Sequence, residues 1–552
     1  MVLDMRFFLM WLAPVFVVLF SANAESQYGR FVVGKVAFYS FFISFLIYWG
    51  LSFIKQRFVL QTTKNILLTV VLFFAFIDFF ASYYFNMILT ESLVNMIFSS
   101  HWVEVRAFFT LQVIPHTLLV FTTIAVCVAI ASIRFQLVIQ PKRIKVIFAT
   151  LLLVHALHAF KGYYSSLKHM DHFYKFLCTQ IVPSVKEIAL IALNIREHSK
   201  IQAIYDKLKQ PLPKDYIHVD SDTPPNVILV VGESESRSFM GVYDYSTPNT
   251  PFFSKLKQSQ HLFLFTDVVS PFAYTLPVFQ VLLNYSDVEN SKTIPWYLTE
   301  GVGKIFKTAG YTTFWLDNQA NPYLTDAFSL LSNSFDYKYW TSNDYENKDQ
   351  ILVDTYNNTV KSKLGTKNFI LFHLVGNHFP YTNRFPHSFT KFTPKDVSYT
   401  ELHVQNMTDK QTVADYVNSI YYTDHVLKEI FNLFKDKNAI ILYLSDHGQD
   451  MFRSGHVFVH KCSNYGVEVP FAVYVTDKFK QSYPQKVKAI AQAVNKPFMI
   501  DDLIHSLLPL VGIHTKDNLE AKNLFSSKFD TNRKRVYCGN LEYPTTHNHN
   551  AP

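Results

Sequence analysis

The chain has 552 residues and a net charge of +8, and 49% of its residues are hydrophobic and 16% aromatic. The apolar residues are concentrated before residue 161, which excludes a wholly soluble protein and predicts a membrane part followed by a globular part. The basic excess is modest and no nucleic-acid-binding motif accompanies it, so we expect no nucleic-acid partner.

Five apolar stretches predict the helices of a membrane domain that occupies residues 1–161. They lie at residues 5–21, 31–54, 65–85, 113–133 and 144–160. At about 1.5 Å per residue, each stretch can cross or nearly cross a hydrocarbon core of about 30 Å. We therefore predict an α-helical membrane domain with five transmembrane helices.

The distribution of lysine and arginine predicts the orientation of this domain, because positively charged loops are retained in the cytoplasm. Basic residues cluster between the second and third stretches and between the fourth and fifth, whereas the alternate connections carry no basic excess. We expect a cytoplasmic N-terminus and export of everything after Lys161. The first stretch also fits a cleavable signal peptide that ends at Ala22-Asn23-Ala24, and either outcome exports the large domain.

One acidic residue of the membrane domain needs a partner. Asp78 lies in the third stretch, and a carboxylate in hydrocarbon is costly unless it is paired or lines a polar cavity. A structural contact with His116, His155 or His158 and a role at a lipid headgroup are equally compatible with the sequence.

The exported part divides into a connector, a globular domain and a tail. Residues 162–225 predict an interfacial helix and a proline-containing linker, residues 226–540 the domain, and residues 541–552 a flexible tail. Within the domain, short apolar runs alternate with helical segments, and the runs lie at 226–232, 312–319, 368–377, 439–446 and 470–477. This alternation is typical of βαβ units and predicts an α/β domain with a mostly parallel sheet.

Four of these runs end in polar residues or are directly followed by them. These residues are Glu233, the group Asp317, Asn318 and Gln319, the pair His373 and His378, and the pair Asp446 and His447. In an open α/β sheet, ligands bind beyond the carboxyl ends of the strands, where such residues meet. Carboxylate oxygens and imidazole nitrogens suit Zn²⁺, so Glu233, Asp446 and His447 are three candidate metal ligands.

A catalytic zinc ion keeps one position for a reacting group, and hydroxyl side chains within residues 270–286 can supply that group. Coordination to a cation would lower the pKa of such a hydroxyl and make it a nucleophile near neutral pH. Ser270, Thr275 and Ser286 are the candidates, and spacing alone does not choose between Thr275 and Ser270.

Each of these residues also has an ordinary structural explanation. Asp446 could cap a helix and Thr275 could begin one. Glu233 could be a solvated loop acid with Glu235 as its rival, and His378 taken alone is typical of a loop histidine. The occurrence of acids and imidazoles after several strands favours the metal site.

Cysteine usage excludes a disulfide scaffold. Cys127 lies in the fourth apolar stretch, which leaves Cys178, Cys462 and Cys538 on the exported side and permits at most one bridge among them. The stability of the exported domain must therefore come from its core.

Six motifs occur in order along the exported domain. They are VILVVGESESRSFMGVYDYSTPNTPF, YTLPVFQVLLNY, WLDNQ, HLVGNHFPY, YVNSIYYTDHVL and LSDHGQD. Together with the five apolar stretches, this series resembles the membrane-bound phosphoethanolamine transferases, whose exported domain has the alkaline phosphatase/sulfatase fold. The resemblance covers nearly the whole chain.

The resemblance implies a metal-dependent phosphoethanolamine transferase in which Thr275 becomes covalently phosphoethanolaminated. The metal ligands that it implies are Glu233, Thr275, Asp446 and His447. One or two zinc ions are expected there in preference to Mn²⁺ or Mg²⁺. His378 and His456 are expected to contact the transferred group, and His460 follows His456 closely in the sequence.

The resemblance also implies the partners and the location. The donor would be phosphatidylethanolamine, and the acceptor would be lipopolysaccharide, through lipid A or its core, or another envelope glycan. The protein would be a multi-pass protein of the bacterial inner membrane with its catalytic domain in the periplasm. Relatives of this type often carry several disulfides, which this chain cannot form, so its rigidity must have another source.

Two other functions fit the same features. A glycerophosphate transferase of the lipoteichoic acid synthase type shares five spans and a metal-threonine site but uses phosphatidylglycerol. A non-catalytic membrane scaffold that binds glycans is the second alternative, although a degenerate relative would be expected to lose metal ligands. A sulfatase activity is not favoured, because YTLPVF lacks the modifiable Cys or Ser and the Arg that sulfatases need.

Overall fold

A computed structural model describes most of the chain. The described residues are 1–19, 29–85, 106, 110, 114, 117–166, 210–259, 261–320, 327–342, 347–456, 458 and 460–544. The chain divides into two compact units, of which the first comprises Met1–Ser100 with Val105–Ser199 and the second His101–Glu104 with Lys200–Pro552.

The described part of the first unit is mainly helical. Its helices are α1 (Met5–Leu19), α2 (Gly29–Leu51), α3 (Arg57–Phe85), α4 (Thr117–Ala131) and α5 (Pro141–Ser166), and a short antiparallel pair joins β1 (Val2–Asp4) to β2 (Gln136–Val138). By length and apolar composition, Val33–Leu51 and Arg57–Phe80 can cross a membrane, while Met5–Leu19 and Phe121–Ala131 are shorter apolar helices. Each helix coincides with one of the predicted stretches, and the count of five spans stays a prediction.

Polar side chains connect these helices. Tyr39 Oη lies 2.5 Å from His158 Nδ1 and 3.3 Å from His155 Nδ1, which joins α2 to α5. Both histidines are candidate partners of Asp78, which is buried. His116, the third candidate partner of Asp78, lies outside the described residues.

The second unit alternates strands and helices. Its described strands are β3 (Ile217–Val219), β4 (Asn226–Gly232), β5 (Leu262–Phe265), β6 (Val268–Val269), β7 (Thr312–Ala320), β8 (Tyr337–Ser342), β9 (Asn368–His373), β10 (Ala439–Ser445), β11 (Phe471–Val475), β12 (Phe498–Met499), β13 (Ile513–Thr515), β14 (Val536–Tyr537) and β15 (Leu541–Glu542). Its described α-helices are α6 (Pro251–Lys257), α7 (Thr275–Leu282), α8 (Val302–Thr308), α9 (Ala327–Ser332), α10 (Gln350–Thr355), α11 (Met407–Asn432), α12 (Asn464–Val467), α13 (Asp477–Ser482), α14 (Pro484–Ala493) and α15 (Leu503–Leu510).

Seven strands form the main sheet in the order β5-β11-β10-β4-β9-β7-β8. Neighbours from β10 to β8 pair in parallel, whereas β11 pairs antiparallel with both β10 and β5 at one edge. The prediction of an α/β domain with a mostly parallel sheet is confirmed. Of the five predicted strands, only β11 runs against the others.

Both faces of this sheet are covered, which explains the continuous apolar runs in its central strands. Along β4, Val227, Leu229 and Val231 pack into one cluster, which also contains residues of α7, α8 and α15. Ile228 and Val230 point to the opposite face and pack against residues of α10 and α11. The core therefore lies in two layers, one on each side of the sheet.

The segments at the two ends of the second unit differ from the sequence prediction. The predicted linker contains β3, which pairs with β13, and the predicted flexible tail begins with β15, which pairs with β14. The hydroxyl of Tyr543 also donates a hydrogen bond to Glu468 Oε1 at 2.6 Å. Residues 541–544 are thus held by backbone pairing and a side-chain contact.

One disulfide joins the C-terminal part to the body of the second unit. Cys462 and Cys538 are bonded, with 76 residues of sequence separation. This agrees with the limit of one bridge set by the cysteine count. Cys178, the third exported cysteine, lies outside the described residues.

Candidate metal centre

Adjacent parallel strands bring the predicted ligands to one edge of the sheet. Glu233 follows β4, and Asp446 and His447 follow β10, whose register pairs Ser445 with Gly232. His447 Nε2 lies 3.3 Å from Glu233 Oε1 and 3.4 Å from Asp446 Oδ2. All three side chains are fully buried, and they form a group whose ligand atoms lie within 4.8 Å of one another.

Thr275 completes this group because it is the first residue of α7. Its Oγ1 donates a hydrogen bond to Glu233 Oε2 at 2.9 Å and lies 3.3 Å from His447 Nε2. Ser286 contacts Asn290 instead, at 3.4 Å. The buried hydroxyl of Ser270 has no hydrogen-bond partner within the described residues. Of the three candidate hydroxyls, the one that contacts the acids and the imidazole is therefore that of Thr275.

The electrostatics of the cluster fit a divalent cation. Burial and the neighbouring charge of Glu233 raise the pKa of Asp446 to about 7. Burial opposes protonation of His447, but the charges of Asp446 and Glu233 outweigh it and raise its pKa to about 9. Asp446 Oδ2 is buried without a hydrogen-bond partner in the described part of the chain. A cation would neutralise both acids and satisfy this oxygen, and two carboxylates, one imidazole and one hydroxyl form a donor set that suits Zn²⁺.

Glu235, the rival of Glu233, has a different environment. Its carboxyl accepts a hydrogen bond from the hydroxyl of Tyr443, and burial raises its pKa to about 8. The described residues contain two groups of potential metal ligands, one of Glu233, Asp446 and His447 and one of Glu233, His378 and His460. Glu235 belongs to neither. The backbone therefore directs Glu233 into the cluster and Glu235 into the core.

Two further histidines border the cluster. Glu233, His378 and His460 form a second group with ligand atoms within 4.8 Å of one another. The ring of His460 lies 4.7 Å from that of His447 and 5.5 Å from that of His378. His378 Nδ1 donates to the carbonyl oxygen of Phe379 at 2.7 Å, which fixes the orientation of its ring.

The structure differs from the sequence prediction at His456. Its side chain is exposed, its Nε2 accepts a hydrogen bond from Gln405 at 2.8 Å, and its Nδ1 donates to the carbonyl oxygen of His403 at 2.7 Å. His456 belongs to neither group of potential ligands among the described residues, whereas His460 does. Both histidines lie in an irregular segment, where sequence spacing carries no periodicity that predicts the direction of a side chain.

Sequence reasoning gave no specific role to the polar residues at the carboxyl end of β7. Gln319 Nε2 lies 3.2 Å from Glu233 Oε2 and 2.8 Å from His373 Nε2. His373 Nδ1 in turn lies 2.8 Å from Asp317 Oδ2. Their position at the end of an apolar run was the available signal, but it did not distinguish a turn from a contact with the site.

The fold and the cluster define the class of protein. A mostly parallel sheet with acids, an imidazole and a threonine hydroxyl at its carboxyl edge is the arrangement of the alkaline phosphatase/sulfatase superfamily. A family model described as Sulfatase matches residues 225–513, which is more than half of the chain, and the chain belongs to this family.

Curated relatives are named phosphoethanolamine transferases. The chain is 27% identical over 315 residues to phosphoethanolamine transferase EptC of Escherichia coli strain K12, an alignment that covers 52% of this chain and 51% of the relative. It is 27% identical over 270 residues to phosphoethanolamine transferase EptA of Helicobacter pylori, covering 47% and 49%. The chain thus spans about half the length of the curated relatives it matches. The resemblance found in the motifs is confirmed.

Solved structures share the fold. The integral membrane lipooligosaccharide phosphoethanolamine transferase A of Neisseria meningitidis matches with a TM-score of 0.61 and 17% identity, covering 93% of this chain and 97% of that one. The C-terminal periplasmic domain of EptC from Escherichia coli, in complex with Zn, matches with a TM-score of 0.54 and 22% identity, covering 59% and 92%. At these identities the likeness concerns the fold alone.

Proposed function

We propose that this protein is an inner-membrane, metal-dependent transferase that moves phosphoethanolamine from phosphatidylethanolamine to lipopolysaccharide, through lipid A or its core, or to another envelope glycan. The observation that carries the proposal is the contact of Thr275 Oγ1 with Glu233 Oε2, at 2.9 Å, beside His447. The names of the relatives support phosphoethanolamine as the transferred group.

Glu233, Thr275, Asp446 and His447 would hold a zinc ion, and the group of Glu233, His378 and His460 is suited to a second cation or to the phosphoryl oxygens of the substrate. The zinc complex of a structural neighbour supports this choice of metal. When bound, the cation would lower the pKa of the threonine hydroxyl and neutralise charge on the phosphoryl group.

The side chains of this site divide the work of two half-reactions. The Thr275 oxygen attacks the phosphorus of the donor and loses its hydroxyl proton. The bond from phosphorus to the diacylglycerol oxygen breaks, diacylglycerol leaves with a proton on that oxygen, and phosphoethanolamine remains on Thr275. Glu233 Oε2 holds the hydroxyl through its hydrogen bond and so aims the attacking oxygen. His378 and His460, in place of His456, would contact the phosphoryl oxygens. An acceptor hydroxyl or phosphate then takes the group.

The membrane unit would anchor the enzyme beside its lipid donor. Because phosphatidylethanolamine is confined to the bilayer, tethering the catalytic unit to the same bilayer raises the effective concentration of the donor. The proposal includes the five spans, the cytoplasmic N-terminus and the periplasmic position of the second unit. The charge distribution of the loops supports this orientation.

The decisive experiment is to look for the covalent intermediate. Purified full-length protein is incubated with phosphatidylethanolamine, and the peptide containing Thr275 is analysed by mass spectrometry. We expect an adduct of phosphoethanolamine mass in the wild type, a slower adduct in Thr275→Ser and none in Thr275→Ala. An adduct that persists in Thr275→Ala, or its absence from metal-loaded wild type, would overturn the proposal.

The same assay separates the alternatives. A glycerophosphate transferase would load Thr275 from phosphatidylglycerol, so that lipid is tested in parallel. A glycan-binding scaffold would load neither lipid and would need no metal, which elemental analysis of the purified protein measures. The relatives described above are named for phosphoethanolamine transfer, so neither alternative is favoured.

A further inference from the structure

A line of buried hydrogen bonds leads from the interior of the sheet to the threonine hydroxyl. Asp317 Oδ2 lies 2.8 Å from His373 Nδ1, and His373 Nε2 lies 2.8 Å from Gln319 Nε2. Gln319 Nε2 lies 3.2 Å from Glu233 Oε2, which also accepts the hydrogen bond of Thr275 at 2.9 Å. Asp317, His373 and Glu233 are fully buried and Gln319 nearly so, so solvent does not compete for these contacts.

The surroundings of Gln319 determine which atoms donate. Its amide nitrogen faces a carboxylate oxygen of Glu233 and, at 3.3 Å, the carbonyl oxygen of Leu374. Both oxygens only accept hydrogen bonds, so an amide oxygen in this place would be repelled and the NH₂ group must occupy it. His373 Nε2, at 2.8 Å, therefore accepts one of the two N–H protons of this group, and the other is shared between the oxygens of Glu233 and Leu374. It follows that the imidazole carries its proton on Nδ1 and donates it to Asp317.

Asp317 is itself held from three sides. Its Oδ2 accepts the indole N–H of Trp315 at 3.0 Å in addition to the His373 proton, and its Oδ1 accepts the backbone N–H of Gln319 at 2.8 Å. The parallel pairing of β7 with β9 places Asp317 directly opposite His373. The ring of Phe279, one turn after the start of α7, packs 4.4 Å from the ring of His373.

We propose that Asp317, His373 and Gln319 form a relay that fixes the orientation of the Glu233 carboxylate, and that they are positioning residues for this metal ligand and, through it, for Thr275. Glu233 Oε2 is the atom on which the relay and the nucleophile meet. A carboxylate that is held at this oxygen cannot rotate away from the threonine hydroxyl. Outer partners of this kind orient the ligands of metal sites in proteins. The inference rests on the proposed function, because it assumes that Glu233 binds a cation.

A purely structural explanation predicts different behaviour. If the relay only satisfied buried polar groups of the sheet, breaking it would lower stability without changing metal affinity. Asn368 provides a matched control, because its buried side-chain amide donates to Asn226 Oδ1 at 3.1 Å at the amino end of the same sheet, away from the site. Gln319→Met and Asn368→Leu each replace a buried amide by an apolar side chain of similar size.

The test uses full-length protein purified in detergent and stripped of metal. Zinc affinity is measured by competition with a chromophoric chelator, together with the unfolding temperature of the metal-free protein and the kcat and KM for loading of Thr275 from phosphatidylethanolamine. We expect Gln319→Met to weaken zinc binding by about 10- to 100-fold and to lower kcat with little change in KM. Asn368→Leu should lower the unfolding temperature and leave zinc affinity at the wild-type value.

Two further measurements keep the test decisive. At saturating Co²⁺, the visible absorption of Gln319→Met should differ from that of the wild type, because the Glu233 carboxylate is no longer held. Asp317→Asn, a milder change that sets an NH₂ group against one of the donors around Asp317, should weaken zinc binding in the same direction. If Gln319→Met and Asp317→Asn both keep wild-type zinc affinity and kcat, the relay is overturned and the proposed function is not affected. A wild-type protein that binds no zinc would overturn the relay and the proposed function together.

Discussion

Gly376 lies directly against the main chain of Glu233. A methyl group on Gly376 would lie 2.9 Å from both the backbone nitrogen and the backbone oxygen of Glu233, and the glycine has a φ of +46°. The backbone N–H of Asn377 also donates to the carbonyl oxygen of Glu233 at 2.9 Å. The loop after β9 therefore sets the position of the main chain that carries a candidate metal ligand.

We expect Gly376→Ala to damage both stability and the site. The new methyl group must displace backbone atoms that have little freedom to move, and an alanine at positive φ adds strain, for a combined loss of about 3 kcal/mol in unfolding free energy. Denaturant unfolding and zinc titration of the variant measure the two effects. Gly310→Ala is the control, because Gly310 has a φ of +85° with no atom within 4 Å of the added group. Equal losses in both variants would show that the contact with Glu233 contributes nothing.

Asp424 supplies the N-terminal cap that α6 lacks. Thr250 makes no side-chain cap, whereas the Asp424 carboxylate accepts the backbone N–H groups of Phe252 at 2.7 Å and Phe253 at 3.1 Å. Asp424→Leu would leave these donors without an acceptor, and we expect a loss of about 2 kcal/mol in unfolding free energy. Asp415→Leu is the control. Asp415 lies on α11 like Asp424, but its carboxylate contacts the side chain of Gln411 and caps no described helix. Similar losses in the two variants would contradict the capping role.

The central strands and the candidate ligands Glu233 and Asp446 could be predicted, because the sequence pattern of each lies within a few neighbouring residues. The apolar runs of β4 and β10 are buried on both faces, and Glu233 and Asp446 follow them directly, so topology alone brings these residues together. The buried position of Asp424 beneath α6 has no such local signal, because it depends on how two helices distant in sequence pack. The choice between His456 and His460 depends on an irregular loop, whose conformation no periodicity encodes.

His505 predicts a dependence of stability on pH. Burial and the nearby charge of Lys522 lower its pKa from 6.5 to about 4, and its Nδ1 accepts the backbone N–H of Leu519 at 3.1 Å. Because the unfolded chain binds the proton more tightly, the stabilisation is fully present above pH 6.5 and is lost as the pH falls towards 4. Between about pH 7.5 and pH 5 we expect this residue to cost about 2 kcal/mol of unfolding free energy.

His505→Asn isolates this contribution. The asparagine oxygen can still accept the N–H of Leu519 but does not titrate, so the difference in stability between variant and wild type should shift in favour of the variant as the pH falls. Unfolding by denaturant at several pH values measures this shift. His218→Asn, at an exposed histidine, controls for the exchange itself. A difference that stays constant with pH would refute the assignment.

The disulfide between Cys462 and Cys538 should stabilise the second unit and hold the loop that carries His460. It closes a loop with a sequence separation of 76 residues, and the backbone N–H of Cys538 donates to Pro271 at 2.9 Å in the segment before α7. From the entropy of loop closure, we expect the double variant Cys462→Ser with Cys538→Ser to lose about 4 kcal/mol of unfolding free energy. Loading of Thr275 should slow as well, because His460 lies two residues before Cys462. Cys127→Ser, in the membrane unit, is the control. A double variant with wild-type stability and loading would show that the bridge supports neither the fold nor the site.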